Sequence, residues 1–118
     1  MYEYKCQVYN VVDGDTVDCL VDLGFRTQMA MRVRLWGINA AELKTGDAAF
    51  SSSGFLRVLV IGKPLIIRTR KDKSDKYGRM LGIFYEHNSD RSVNQKMLDG
   101  KMAVPYMVTM NGDQLPED

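Results

Sequence analysis

The sequence of 118 residues contains little histidine, cysteine or tryptophan: it has one, two and one of them, respectively. Because His87 is the only histidine and forms no cluster with a cysteine, the sequence argues against a zinc site and a histidine-based catalytic triad. No apolar run approaches the roughly 20 residues that would span a bilayer, so we expect no membrane partner. The composition, 45% hydrophobic and 26% charged, is typical of a soluble globular protein. We therefore expect a single domain over residues 1–118.

The amino-terminal segment and the cysteines bear on the compartment in which the protein works. Residues 1–5 already have the pattern of a β-strand, and no signal peptide is visible. The expected location is therefore the cytoplasm, with an unknown compartment as the alternative. Cys6 and Cys19 fall on the two arms of an expected hairpin. A cross-strand disulfide is one alternative; two buried thiols are the alternative that we favour.

The net charge of +1 hides an uneven distribution of charged residues. Residues 63–79 contain seven basic side chains and two acidic ones, whereas residues 107–118 carry acidic charges alone. The basic segment suits a polyanion such as nucleic acid, although a solvated loop would have the same composition. We predict that residues 107–118 form a flexible acidic tail.

Alternation of apolar and polar residues predicts five β-strands. From Val17 to Leu23 the odd positions are apolar, and on the next strand Arg32 and Arg34 share the face opposite the apolar one. Turn residues at Asp13–Asp15 and at Gly24–Thr27 would join the first three strands into an antiparallel meander. The predicted strands are residues 4–12, 17–23, 28–36, 65–69 and 80–85.

Two helices complete the prediction. The longer one covers residues 48–61, with Asp47 or Thr45 near its N-cap and the stop signal Gly62–Pro64 after it. The shorter one covers residues 92–99. The order of elements predicts an α+β domain dominated by β-structure, a five-stranded OB-type Greek-key barrel with one longer and one short helix. Such barrels bind oligonucleotides, but a fold alone does not give a function.

Five polar residues lie where these elements would bring them together. Asp15 is at the tip of the first hairpin, Arg34 is on the third strand, and Asn39 and Glu42 follow that strand. Arg79 opens the fifth strand. A phosphodiester hydrolase needs a hard cation on oxygen ligands, an activated water and donors for the charge on phosphorus. Asp15 and Asn39 could hold such a cation, Glu42 could deprotonate water, and the two arginines could clamp phosphate.

Each of these residues also has a structural explanation by itself. Asp15 could be a turn residue, Arg34 a surface residue of a strand, and Glu42 a solvated loop residue. Arg79 could form an ion pair with Asp75. The functional interpretation therefore depends on the residues acting together.

Together the motifs resemble the staphylococcal (micrococcal) nuclease-like family. The resemblance is carried by Asp13–Thr16, Arg32–Ile38, Glu42 and Asp75–Arg79, in this order, and extends over about residues 4–106. The fold of that family is a five-stranded OB-type barrel with helices, which agrees with the strand and helix pattern described above.

The resemblance implies a Ca²⁺-dependent nuclease that acts on DNA, RNA or both. By position, Asp15 matches a calcium ligand, and Ala40 lies where a backbone carbonyl also binds the ion. Glu42 matches the glutamate usually assigned as general base. Arg34 and Arg79 match the two phosphate-binding arginines.

The resemblance also implies a nucleotide pocket. Lys76 and Tyr77 match residues that line it, and Tyr106 matches a tyrosine of the same pocket. DNA, RNA or both are the expected partners, and protein partners are left unassigned.

The sequence departs from the family pattern at Asn39, where the family usually has an aspartate that binds calcium. An asparagine supplies a carbonyl oxygen but no negative charge. The attraction between a carboxylate and a cation a few ångströms apart is worth about 4 kcal/mol before desolvation offsets it. In Ala40–Ala41 the usual proline is also missing. We therefore expect weaker Ca²⁺ binding, and the alternative function is an OB-type module that binds nucleic acid or protein with little or no cleavage.

Overall fold

The computed structural model describes residues 2–41, 46–71 and 80–106, with the backbone alone described for residues 46–51 and 71. The predictions made for Glu42, Thr45, Asp75–Arg79 and the tail 107–118 lie outside these residues. The described ranges contain seven strands and two helices. The strands are β1 (Tyr2–Asp13), β2 (Thr16–Gly24), β3 (Thr27–Leu35), β4 (Ile38–Ala40), β5 (Leu65–Lys71), β6 (Met80–Glu86) and β7 (Ala103–Pro105), and the helices are α1 (Gly46–Val60) and α2 (Val93–Asp99).

Five strands close into the predicted barrel in the order β1-β2-β3-β6-β5. The first three strands form an antiparallel meander, and a parallel pairing of β3 with β6 closes the barrel. A closed sheet leaves no unpaired strand edge. The alternating residues point inward as the sequence pattern predicts, and Val17, Val33 and Phe84 have no exposed surface.

A second, two-stranded sheet is absent from the sequence prediction. The sequence predicts no strand or helix between residues 36 and 48, whereas Asn39 lies in β4 and pairs with Val104 of β7. A strand of three residues is too short to show a period, and its partner is far away in the sequence, so no local pattern marks it. The pairing fixes the backbone of Asn39 and Ala40 beside the barrel.

The longer helix packs its apolar stripe against the barrel. Ser52, Leu56 and Val60 are buried, and the helix ends before Gly62, whose φ of 76° is the left-handed conformation common after helix ends. The helix begins at Gly46, so Asp47 lies in its first turn, and the alternative cap residue Thr45 lies outside the described residues. The shorter helix is capped by Ser92, whose side chain accepts a hydrogen bond from the Gln95 backbone.

The two cysteines are free thiols buried in the core, as favoured from the sequence. Cys6 pairs with Val21 and Cys19 with Val8, so the thiols are diagonal neighbours on the inner face of the sheet. The hydrogen bond with Cys19, together with burial, raises the pKa of the Cys6 thiol well above its usual range. Such a thiol is a packing group and a poor nucleophile.

The β2–β3 hairpin extends past the core at its far end. Met29 of β3 is 52% exposed there, and Phe25 at the turn is fully exposed. The expected turn at Gly24–Thr27 is present, with Phe25 and Arg26 both at positive φ.

Among the described helices, neither is long and apolar enough to cross a membrane.

Candidate functional site

The site is built around the tight turn between β1 and β2. The backbone N–H of Asp15 donates to the Asp13 carboxylate (3.1 Å), so Asp13 shapes the turn, and the Asp15 carbonyl accepts from Leu35 N–H (2.8 Å) at the end of β3. Gly14 is required by space, since a Cβ there would lie 2.8 Å from the Cβ atoms of both Ala40 and Ser52. The turn is therefore packed directly against β4 and α1.

Hydrogen bonds orient the Asp15 carboxylate. Its Oδ2 accepts from the Ala40 backbone N–H (2.9 Å), and its Oδ1 accepts from the Thr16 hydroxyl (3.0 Å). Burial acts to raise the pKa of Asp15, but hydrogen bonds from Asp13, Ala40 and Thr16, with the positive charge of Arg34, outweigh it and lower that pKa. Burial raises the pKa of the neighbouring Asp13. Asp15 is therefore the more acidic carboxyl group of the pair.

Arg34 lies beside this carboxylate because of strand register. It pairs with Thr16, the residue after Asp15, and its guanidinium donates to the side-chain oxygen of Asn39. The guanidinium carbon is also 4.9 Å from the centre of the Tyr106 ring, within cation–π range. The Tyr106 backbone N–H donates to the Gly37 carbonyl (2.8 Å), which ties the ring to the end of β3.

Two further residues support the site and were not found from the sequence. The Ser52 hydroxyl of α1 donates to the Met102 carbonyl (2.8 Å), which also accepts from Ala41 N–H (3.1 Å), so helix and small sheet are joined. Asn94 of α2 is buried; it accepts from Phe84 N–H and donates to the Trp36 and Gly82 carbonyls. The one sequence signal for the buried role of Asn94 is its position as a polar residue between apolar positions of a short helix.

Oxygen atoms close to this turn could hold a hard cation. The candidates are the Asp15 carboxylate, the Asn39 side-chain carbonyl and the backbone carbonyl of Ala40, because Ca²⁺ prefers oxygen ligands. An oxygen that accepts one hydrogen bond keeps a second lone pair for a cation. Within the described ranges no three His, Cys, Asp or Glu side chains form a metal-binding group. The described residues therefore offer few charged ligands at this turn.

The structure brings together five of the nine residues predicted for the site. These are Asp15, Arg34, Asn39, Ala40 and Tyr106. The other four, Glu42, Lys76, Tyr77 and Arg79, fall on parts of the chain that are not described. The roles assigned to all nine stay predictions.

Comparison with known proteins shows the family to which the chain belongs. A family model described as "Staphylococcal nuclease homologue" matches residues 32–117. The chain is 31% identical to "Micrococcal nuclease" of Shigella flexneri over 83 residues, which are 70% of this chain and 43% of the relative. It is 32% identical to "Protein ParB" of Escherichia coli over 113 residues, 88% of this chain and 58% of the relative.

The chain thus spans about half the length of these curated relatives. The matched residues 32–117 include Arg34, Asn39 and Tyr106, and the closed five-stranded barrel with two helices is the fold expected from the resemblance. On this match over most of its length, the chain belongs to the staphylococcal nuclease homologue family.

Proposed function

We propose that this chain is a Ca²⁺-dependent phosphodiesterase that cleaves DNA, RNA or both. The observation that carries the proposal is the cluster of Asp15, Arg34 and Tyr106 at one end of the barrel. An ionised carboxylate suited to a cation lies there beside a guanidinium suited to phosphate. These are two of the components that phosphodiester hydrolysis needs.

Arg34 would bind the phosphodiester and stabilise charge as it develops on the phosphate oxygens. Asn39 and Tyr106 hold its guanidinium from two sides, so little conformational freedom is lost when phosphate binds. A donor fixed in advance contributes most where charge grows in the transition state. Arg79 would be a second donor of the same kind.

Asp15, Asn39 and Ala40 would hold Ca²⁺, which when bound supplies positive charge close to the phosphate oxygens. Glu42 would orient the attacking water and accept its proton. Because Asn39 is uncharged and its side-chain oxygen already accepts from Arg34, we expect Ca²⁺ affinity below that of a site with two aspartates.

The proposal is tested by cleavage of single-stranded DNA and RNA with Ca²⁺ and with excess chelator. We expect cleavage in Ca²⁺, none in chelator, and a loss of about 10²–10³-fold in kcat for Arg34→Lys, which keeps the charge but loses the planar fork. Arg91→Lys is the matched control, because Arg91 pairs with Asp99. Equal activity of Arg34→Lys and wild type would contradict the role of Arg34.

A binding module without cleavage is the second candidate, and Asn39 favours it because a ligand charge is missing. For such a module we expect nucleic-acid binding that weakens with salt and no rise in melting temperature at millimolar Ca²⁺, since only a ligand of the folded state stabilises it. Cleavage that needs Ca²⁺ would rule this candidate out.

A further inference from the structure

A second arginine lies on the same sheet face as Arg34. Arg34 of β3 pairs with Leu81 of β6, and Leu81 pairs with Arg70 of β5. Directly paired residues project to one face of a sheet, so the two arginines share a face at two strand spacings, ~10 Å. It is the outer face, because the neighbouring Val33 and Ile67 are fully buried in the core.

Arg70 stacks on the only tryptophan of the chain. Its guanidinium carbon is 5.0 Å from the centre of the Trp36 ring. Trp36 lies two positions after Arg34 and continues the ladder by donating its backbone N–H to the Gly82 carbonyl (2.8 Å). By the two-residue period of a strand it projects to the same outer face as Arg34. Trp36 is partly exposed.

The face therefore carries two arginine–aromatic pairs side by side, Arg34 with Tyr106 and Arg70 with Trp36. The carboxylate partners found in the described ranges belong to other arginines, which are Arg32, Arg68 and Arg91. A guanidinium stacked on a ring keeps its charge and its planar N–H edge for phosphate. One terminal nitrogen of Arg70 is buried and has no hydrogen-bond partner within those ranges.

We propose that Trp36 and Arg70 form a second nucleotide subsite for a single-stranded polynucleotide, next to the site at Asp15 and Arg34. A base stacks on the Trp36 indole, and an adjacent phosphate binds Arg70. Aromatic rings and arginines in a groove are the means by which OB-type barrels hold single strands, and a paired base has no free face to offer. This inference rests on the proposed function in one respect, that nucleic acid binds this face.

The first test uses Trp36 as its own reporter, since no other tryptophan contributes to the fluorescence. Fluorescein-labelled oligothymidylate is titrated in EDTA, which prevents Ca²⁺-dependent cleavage, and tryptophan emission and label anisotropy are recorded together. We expect quenching of Trp36 that follows the anisotropy change with the same midpoint. A blunt duplex of equal length should quench less at equal occupancy.

The second test separates phosphate contact from stacking. A plot of log affinity against log salt has a negative slope, and Arg70→Met should make that slope less steep by about 0.7, the value for one phosphate contact on a single strand. Trp36→Leu should weaken binding by about 5- to 150-fold with the slope unchanged, and Trp36→Phe should restore most of it. Arg91→Met, which removes an arginine paired with Asp99, is the control and should change neither quantity.

The outcomes distinguish the subsite from the function on which it rests. No change in anisotropy would overturn the subsite, and the cleavage assay in Ca²⁺ would then decide the nuclease proposal separately. An anisotropy change with constant Trp36 emission, or an unchanged salt slope in Arg70→Met, would overturn the subsite and leave the nuclease proposal standing. If Trp36→Leu does not fold, the wild-type quenching and Trp36→Phe decide the question.

Discussion

At the scale of single residues, the position of the Asp15 carboxylate depends on a glycine. Gly14 lets the turn approach β4 and α1 so closely that the Ala40 N–H reaches Asp15. The Asp-Gly-Asp pattern predicts a turn from sequence, but the glycine is needed because Gly14 lies against Ala40 and Ser52, which are far away in the chain. A local sequence pattern does not predict such a contact.

Gly14→Ala should therefore damage stability and site together. The new Cβ would meet Ala40 and Ser52 at 2.8 Å, and we expect a loss of about 1–3 kcal/mol in the free energy of unfolding, as for other overpacked sites. Gly54→Ala in α1 is the matched control, because its Cβ would meet nothing within 4 Å. We expect it to stabilise the helix by about 0.5–1 kcal/mol. Equal effects in urea denaturation would contradict the close approach.

At the scale of elements, the sequence predicts what is periodic and misses what is short. The alternation of apolar residues predicts the barrel strands, and the stop signal Gly62–Pro64 predicts the end of α1. The small sheet formed by β4 and β7 has three residues in each strand, and it is this sheet that fixes Asn39 and Ala40. Part of the candidate site is thus positioned by a pairing that no local pattern reveals.

The short helix α2 acts on this region through one side chain. Asn94→Ala would leave the buried Phe84 N–H without its acceptor and remove the donor to the Trp36 carbonyl. We expect a loss of about 2–4 kcal/mol in the free energy of unfolding, because unpaired buried polar groups are costly. Gln95→Ala, one residue on, removes an exposed hydrogen bond to Asp99 and is the control, with an expected loss below about 1 kcal/mol. Similar losses in both variants would contradict the role of Asn94.

At the scale of the whole molecule, one end of the barrel collects residues from distant parts of the chain. Asp15 comes from the first hairpin, Arg34 from β3, Asn39 from β4, and Tyr106 directly follows β7. Hydrophobic periodicity predicts the barrel, but only the resemblance to a family picks these residues out of the many charged ones. Periodicity reports which side chains are buried; it holds no information about the chemistry of those on the surface.

The central claim is that this cluster is a calcium site that serves cleavage and lacks one ligand charge. The most direct measurement is the rate of single-stranded DNA cleavage across Ca²⁺ concentration for wild type, Asn39→Asp and the control Gln7→Glu, which adds the same charge on an exposed part of β1. We predict that Asn39→Asp lowers the half-maximal Ca²⁺ concentration at least about tenfold, a net gain of about 1.4 kcal/mol, and that Gln7→Glu does not. Coincident curves for all three proteins, or wild-type cleavage that persists in chelator, would contradict the account.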